Sequence, residues 1–165
     1  MSLRWFGIDR QNSPIGILGE REYNLEEIGY KYHLNNYAAA LGLANLELLQ
    51  KNLERRREIA AYYTSELQQV PGINLFRYKG DRQSAYWLYG FHVEKRDAFI
   101  LKLKENEIPV SIVHKGIDVN KLFQNSWSIL PFQRQFDLTQ IHIPVHNELD
   151  DKQVLHIVNA IKVGW

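Results

Sequence analysis

The hydrophobic pattern of the chain changes twice, and each change marks a different kind of structure. Between residues 3 and 28 the apolar positions follow neither the helical nor the strand period. There Leu3-Arg4-Trp5-Phe6-Gly7-Ile8-Asp9-Arg10 sets two large aromatics before a glycine, and Gln11-Asn12-Ser13-Pro14 spells a turn. From Tyr37 to Val70 the period is helical. Leu46, Leu49, Leu53, Ala60, Tyr63, Leu67 and Val70 recur at helical steps and share a face, while Lys51, Glu54, Arg55, Arg56, Glu58 and Glu66 line the other. One unbroken helix over this stretch is about 50 Å long at the α-helical rise, so it bridges two bodies, pairs with a partner, or bends near Asn45. Pro71-Gly72 ends it.

Beyond Pro71 short strands and helices alternate. Ile73 to Tyr78 and Ala85 to Val93 are rich in aromatic and β-branched residues, with a turn at Lys79-Gly80-Asp81 between them. Asp97 opens a helix with Phe99, Ile100 and Leu103 inward. Ile108 to Val113 reads as a third strand and Ile141 to Val145 as a fourth, the latter placed at an edge by Pro144. A poorly periodic stretch through Trp127 and Phe136 lies between those two. Asp150 and Gln153 form a capping-box pattern for a last helix facing the core through Val154, Leu155, Ile157, Val158 and Ile161, and Gly164 stops it. The expected fold class is therefore α+β: a long connecting helix, then a small, mostly antiparallel sheet with helices on one side. The expected organisation is residues 1–36, a helix over 37–71, and a compact module over 72–165.

Composition adds bounds rather than identity. At 165 residues with a formal net charge of +1, the chain can bury a core but lacks the basic excess of a nucleic-acid binder. It has no cysteine, which removes disulfides and thiol chemistry and fits an intracellular setting. No apolar run approaches the roughly 20 residues of a membrane span, and Met1 to Phe6 lacks the apolar core of a signal peptide. A soluble, cytoplasmic protein is expected.

Candidate chemistry concentrates in two places. The polar, aromatic octet Gly29-Tyr30-Lys31-Tyr32-His33-Leu34-Asn35-Asn36 leads into the long helix. Asparagine suits a helix N-cap, and the positive end of a helix suits an anion such as phosphate. His114-Lys115-Gly116 follows a strand end, where loops carry binding groups. Other features read as structural. Gly16 and Gly19 mark a turn, and Arg55-Arg56-Arg57 is helix surface. His142 and His146 would stand about 13 Å apart on a strand, too far to share a metal. His92 and His156 read as packing or surface residues. The chain contains no GxSxG or phosphate-binding P-loop motif.

Three stretches together resemble one family. Leu3 to Arg10 is similar to the segment following the cofactor lysine in the sugar aminotransferases of the DegT/StrS family. Gly29 to Leu43 resembles their GYNYRMTxxxAALGL signature. Ala85-Tyr86-Trp87-Leu88-Tyr89, Ile108-Pro109-Val110, His114, Leu130-Pro131 and the closing Ile143-Pro144-Val145-His146 follow in the family's order. The resemblance implies the aspartate-aminotransferase fold. It also implies pyridoxal 5'-phosphate (PLP) as cofactor, a nucleotide-linked keto sugar as amino acceptor, and a homodimer with shared active sites. Such enzymes serve amino-sugar and cell-surface polysaccharide synthesis. In that family the octet reaches the partner subunit's cofactor phosphate, a role that falls here to Lys31, His33 and Asn35, although Lys31 replaces the usual Asn and His33 the usual Arg. His114 and Lys115 would face the substrate.

One departure matters. The family's Schiff-base lysine, with the aspartate and the aromatic that hold the cofactor ring, precedes the segment matched by Leu3 to Arg10. This chain is therefore expected to contribute no catalytic residue, to hold no PLP covalently and to be inactive alone. Three readings follow: a catalytically incomplete C-terminal part of a sugar aminotransferase, a stand-alone module binding a sugar nucleotide, or an interaction protein dimerising through its long helix. The first two rest on the resemblance. The exposed face of residues 3–36 and of the helix predicts self-association in any of them.

Overall fold

The computed structural model describes every residue except Met1, Arg10, Asn24, Lys121 and residues 124–129. Trp127 lies outside the described residues. A 3-10 turn at Ser2–Arg4 is followed by α1 (Asn36–Leu67), β1 (Ile73–Leu75), β2 (Tyr89–Val93) and α2 (Arg96–Glu105). A second 3-10 turn at Ile117–Val119 precedes α3 (Pro131–Thr139), β3 (Gln140–Ile143) and α4 (Asp151–Lys162). The chain forms two compact units, residues 1–48 and 49–165, and the division falls within α1.

In the first unit, two segments without regular periodicity hold each other. Trp5 and Lys31 form an antiparallel bridge. Around it the Tyr30 N–H donates to the Leu3 carbonyl (2.7 Å), Phe6 N–H to Tyr30 O (3.2 Å) and Tyr32 N–H to Arg4 O (2.9 Å). The chains approach so closely that a Cβ on Gly29 would overlap the backbone of Phe6 and Gly7, and Gly7 itself takes φ +78°. Both positions therefore require glycine. The bridge Ile15 to Arg21 closes a small turn in which Gly19 N–H donates to Gly16 O (3.0 Å). Gly19 takes φ +82° in that turn, and a Cβ on Gly16 would run into the Glu20 carboxylate, so both glycines have a local reason.

The second unit is built on one antiparallel sheet, ordered β1-β2-β3. Its register pairs Phe91 with Ile141 and Tyr89 with Ile143, so the alternation of β2 sends Tyr89, Phe91 and Val93 to one face. There they meet Phe99 and Leu103 of α2, Val154, Ile157, Val158 and Ile161 of α4, and Ile59, Tyr63 and Leu67 of α1 in a single buried cluster. Phe91 and Phe99 pack edge to face at 5.8 Å. Asp150 caps α4 in a complete capping box with Gln153, and Gly164 follows at φ +92°. The opposite face carries Gly90, His92, Gln140 and His142. Phe136 of α3 rests there against His92 (5.3 Å) and Phe76 (5.6 Å).

Several details depart from the sequence expectations, each for a local reason. Residues 108–113 supply one bridge, Ser111 to His142, rather than a strand. Pro109 has no N–H to give a ladder, and Glu107 enters with left-handed backbone (φ 57°). The run read as a strand from Ala85 begins pairing only at Tyr89, because Tyr86 also turns left-handed (φ 47°). Leu155 is half exposed; it lies a quarter-turn off the Val154, Val158, Ile161 stripe. The arginine run is not plain surface. Arg55 donates to Leu149 O (2.7 Å) and pairs with Asp151 (2.7 Å), and Arg57 donates to Ser84 O (3.1 Å), tying α1 to the segments it packs on.

Candidate functional site

The octet forms one local group at the start of α1. Asn35 is the N-cap: its Oδ1 accepts the Ala38 N–H at 2.8 Å and its carbonyl accepts the Ala39 N–H at 3.0 Å. The N–H groups of Asn36 and Tyr37 begin the helix without an intrahelical acceptor, and no acidic residue stands in the first turn. Lys31 is fixed through its backbone by the bridge to Trp5 while its side chain is exposed. His33 lies against the indole of Trp5, ring centroids 4.8 Å apart, and Tyr30 stacks on Tyr32 at 5.5 Å. The strand-like pairing of Trp5 with Lys31 thus sets a lysine and a histidine two positions apart, just before a 32-residue helix. The chemistry on offer is anion binding: a point charge, an imidazole and the positive end of a helix.

A second group belongs to the other unit. His114 has left-handed backbone (φ 60°), and its ring meets Trp87 at 5.7 Å. His114 and Lys115 are exposed, whereas Gly116 is buried. The Gly116 N–H donates to Asp137 Oδ2 (3.0 Å), and Gln133 Nε2 donates to Asp137 Oδ1 (2.9 Å). Trp87 also lines a shallow cleft of about 300 Å³ with Leu88, Ser111, His142 and His146. Trp87 and Asp137 were not singled out as site residues from the sequence. Trp87 lay inside a run read as strand, and nothing in the pattern ties Asp137 to a glycine far upstream.

His92, His142 and His156 have structural partners. Burial holds His92 below its ordinary pKa, and its Nδ1 meets Thr139 Oγ1 at 2.8 Å. Burial likewise lowers His142, whose Nδ1 faces the Ser111 carbonyl at 3.3 Å. His156 Nε2 lies 3.1 Å from the Asn106 carbonyl. Among the described residues, no group of three or more His, Asp or Glu could hold a metal ion, and no helix is long and apolar enough to cross a membrane.

These observations define an α+β protein with an anion-suited helix start in one unit and a clamped, histidine-bearing loop in the other. The chain belongs to the DegT/DnrJ/EryC1/StrS aminotransferase family, which it matches over residues 2–162. It is similar to the sugar aminotransferase CalS13 from Micromonospora echinospora, with 34% identity and a TM-score of 0.87, covering 99% of this chain and 43% of that one. It is 26% identical to the UDP-4-amino-4,6-dideoxy-N-acetyl-beta-L-altrosamine transaminase of Campylobacter jejuni (91% of this chain, 44% of the relative). It is 25% identical to the GDP-perosamine synthase of Vibrio cholerae (89% and 42%). The chain thus spans less than half the length of each of these proteins.

Proposed function

We propose that this chain serves in a PLP-dependent aminotransferase that places an amino group on a nucleotide-linked keto sugar, in amino-sugar or cell-surface polysaccharide synthesis. The observation that carries the proposal is the family match over residues 2–162, joined to relatives named for UDP- and GDP-linked amino sugars. PLP, when bound, supplies the electron sink for amino transfer. The residues present fit its phosphate end: Lys31 and His33 are exposed beside a helix start free of acidic side chains. In this reading Lys31 meets the phosphate as a point charge, His33 adds an imidazole, and Asn35 holds the helix end in place. The phosphate belongs to the partner subunit of a homodimer, and His114 and Lys115 face the sugar nucleotide. A nucleotide-sugar substrate fits a cytoplasmic setting.

The test uses the intact gene product, glutamate as donor, and UDP-, GDP- and dTDP-linked 4-keto-6-deoxy sugars as acceptors. Formation of 2-oxoglutarate together with an amino sugar on at least one acceptor is expected. Glutamate turnover with none of them would overturn the substrate class. A second reading has one observation in its favour: the first half of α1 exposes Tyr37, Leu41, Leu43, Leu46, Leu48 and Leu49. Under it the chain is a module that dimerises through this helix and binds a sugar nucleotide without turning it over. Calorimetric titration with the same nucleotides, showing heat of binding and no amine transfer, would favour that module.

A further inference from the structure

We infer that Asp137 is the positioning residue of the loop that carries His114 and Lys115. The loop is held in a conformation it would not choose. His114 has a left-handed backbone, unfavourable for any residue with a Cβ and sustained only where surrounding structure enforces it. Two contacts do so. The Trp87 ring lies against the imidazole, and the Asp137 carboxylate accepts the Gly116 N–H two residues later.

Asp137 is itself out of place by local rules. It stands in the last turn of α3, which has no basic residue, at the end of the helix where the dipole opposes negative charge. A position that breaks a local preference needs a compensating contact elsewhere. Here Gln133 fixes one carboxylate oxygen (2.9 Å) and leaves the other for Gly116. Arg96 donates to the Asp137 carbonyl, bracing the same helix end from α2. The approach is close: a Cβ on Gly116 would lie 2.7 Å from Asp137 Oδ2 and 2.4 Å from Asp118 Oδ1, so it would push both carboxylates aside. The carboxylate therefore reads as a clamp on the buried glycine, and the exposed His114 and Lys115 project from a fixed base. That the loop faces substrate rests on the function proposed above; that Asp137 fixes it does not.

The experiment separates the two. Histidine side-chain and amide NMR of the chain are recorded for the native protein, Asp137→Asn, Asp137→Ala and Gly116→Ala. In Asp137→Ala the His114 ring protons should lose the shift imposed by Trp87, and the Gly116 amide should exchange faster by about tenfold or more, as for a backbone N–H losing its acceptor. His92 and His142 should stay where they are. Asp137→Asn, which keeps an acceptor oxygen, should restore much of the native pattern. Gly116→Ala should reproduce the loss with Asp137 intact, which covers the case of an alanine variant that folds poorly. Unmoved His114 and Gly116 signals in a folded Asp137→Ala would overturn the inference, and so would an unmoved His114 signal in Gly116→Ala. In the intact enzyme, Asp137→Ala should raise KM for the keto-sugar nucleotide by roughly tenfold, as misplacement of a binding group does, and leave KM for glutamate unchanged. His114 released with both KM values unmoved would support the clamp and overturn the placing of His114 at the substrate.

Discussion

Asn35 caps a helix whose start is proposed to meet a phosphate, and substitution can pull cap and phosphate site apart. As the N-cap of α1 it accepts the Ala38 N–H, so Asn35→Ala should cost about 1 kcal/mol of helix stability. The loss should appear as faster amide exchange at Ala38 and Ala39. Asn35→Asp keeps an acceptor at the cap and suits the dipole, so the helix start should hold. Its added negative charge should nonetheless weaken phosphate binding, read as a raised apparent Kd for PLP in the intact enzyme. If Asn35→Asp binds PLP as well as the native protein, the octet does not face a phosphate. The buried tyrosines make a prediction of another kind. Burial pushes the Tyr89 hydroxyl up to about 12, and desolvation pushes Tyr63, whose hydroxyl donates to the Pro144 carbonyl, far above the phenolic range. A raised folded pKa means the unfolded chain loses its proton first. The stabilisation is complete below about pH 10, the unperturbed phenol value, and declines as pH rises toward the folded value. Each such tyrosine should remove about 1.4 kcal/mol per pH unit across that window. Denaturant midpoints should stay nearly level from pH 9 to 10 and fall from pH 10 to 11 in the native protein, and the fall should be smaller in Tyr89→Phe.

At the scale of elements, α1 joins two different environments, and only one was plain from its sequence. Its second half buries Ile59, Ala60, Tyr63 and Leu67, whereas Leu46 and Leu49 on the same predicted stripe are 60% and 54% exposed. Leu67→Ala should therefore cost about 2–5 kcal/mol by leaving a core cavity. Leu46→Ala should change the unfolding free energy of the chain by no more than about 0.5 kcal/mol. Equal losses at both positions, measured by urea denaturation, would mean that the first half of α1 is packed. Period alone located the helix, α4 with its Asp150–Gln153 box, and the inward Phe99 and Leu103, because each signal is local. Ser111 was harder: whether a short β-branched run pairs depends on backbone turns at Glu107 and Pro109 and on a partner at His142. The clasp of Trp5 on Lys31 was invisible for the same reason, since nothing in either segment names the other. The octet was legible as an asparagine-capped helix start, but the hydrogen bond from Gly116 to Asp137 was not. A lone aspartate in a short helix gives no sign of which distant N–H it will meet.

For the whole molecule the deciding feature is its exposed apolar surface. Tyr37, Leu41, Leu43, Leu46, Leu48 and Leu49 are exposed along the first half of one helix, and Ile15, Ile17, Leu18 and Ile28 are exposed in the first unit. So many exposed large apolar side chains are uncommon on soluble monomers and point to an interaction surface. With a formal net charge of only +1, repulsion between copies is weak and does little to oppose association. The homodimer proposed above supplies a second copy as the occupant. The chain should therefore sediment as a species larger than 19.4 kDa, in an equilibrium that shifts with concentration. Placing charge in the helix, as Leu46→Glu with Leu49→Lys, should shift it to monomer without lowering the stability of the second unit, because neither side chain belongs to its core. The opposite signs leave net charge unchanged, so a loss of association cannot be assigned to repulsion between whole molecules. A native chain that stays monomeric at hundreds of micromolar would overturn the dimer, and an associated chain indifferent to the double substitution would move the contact off α1.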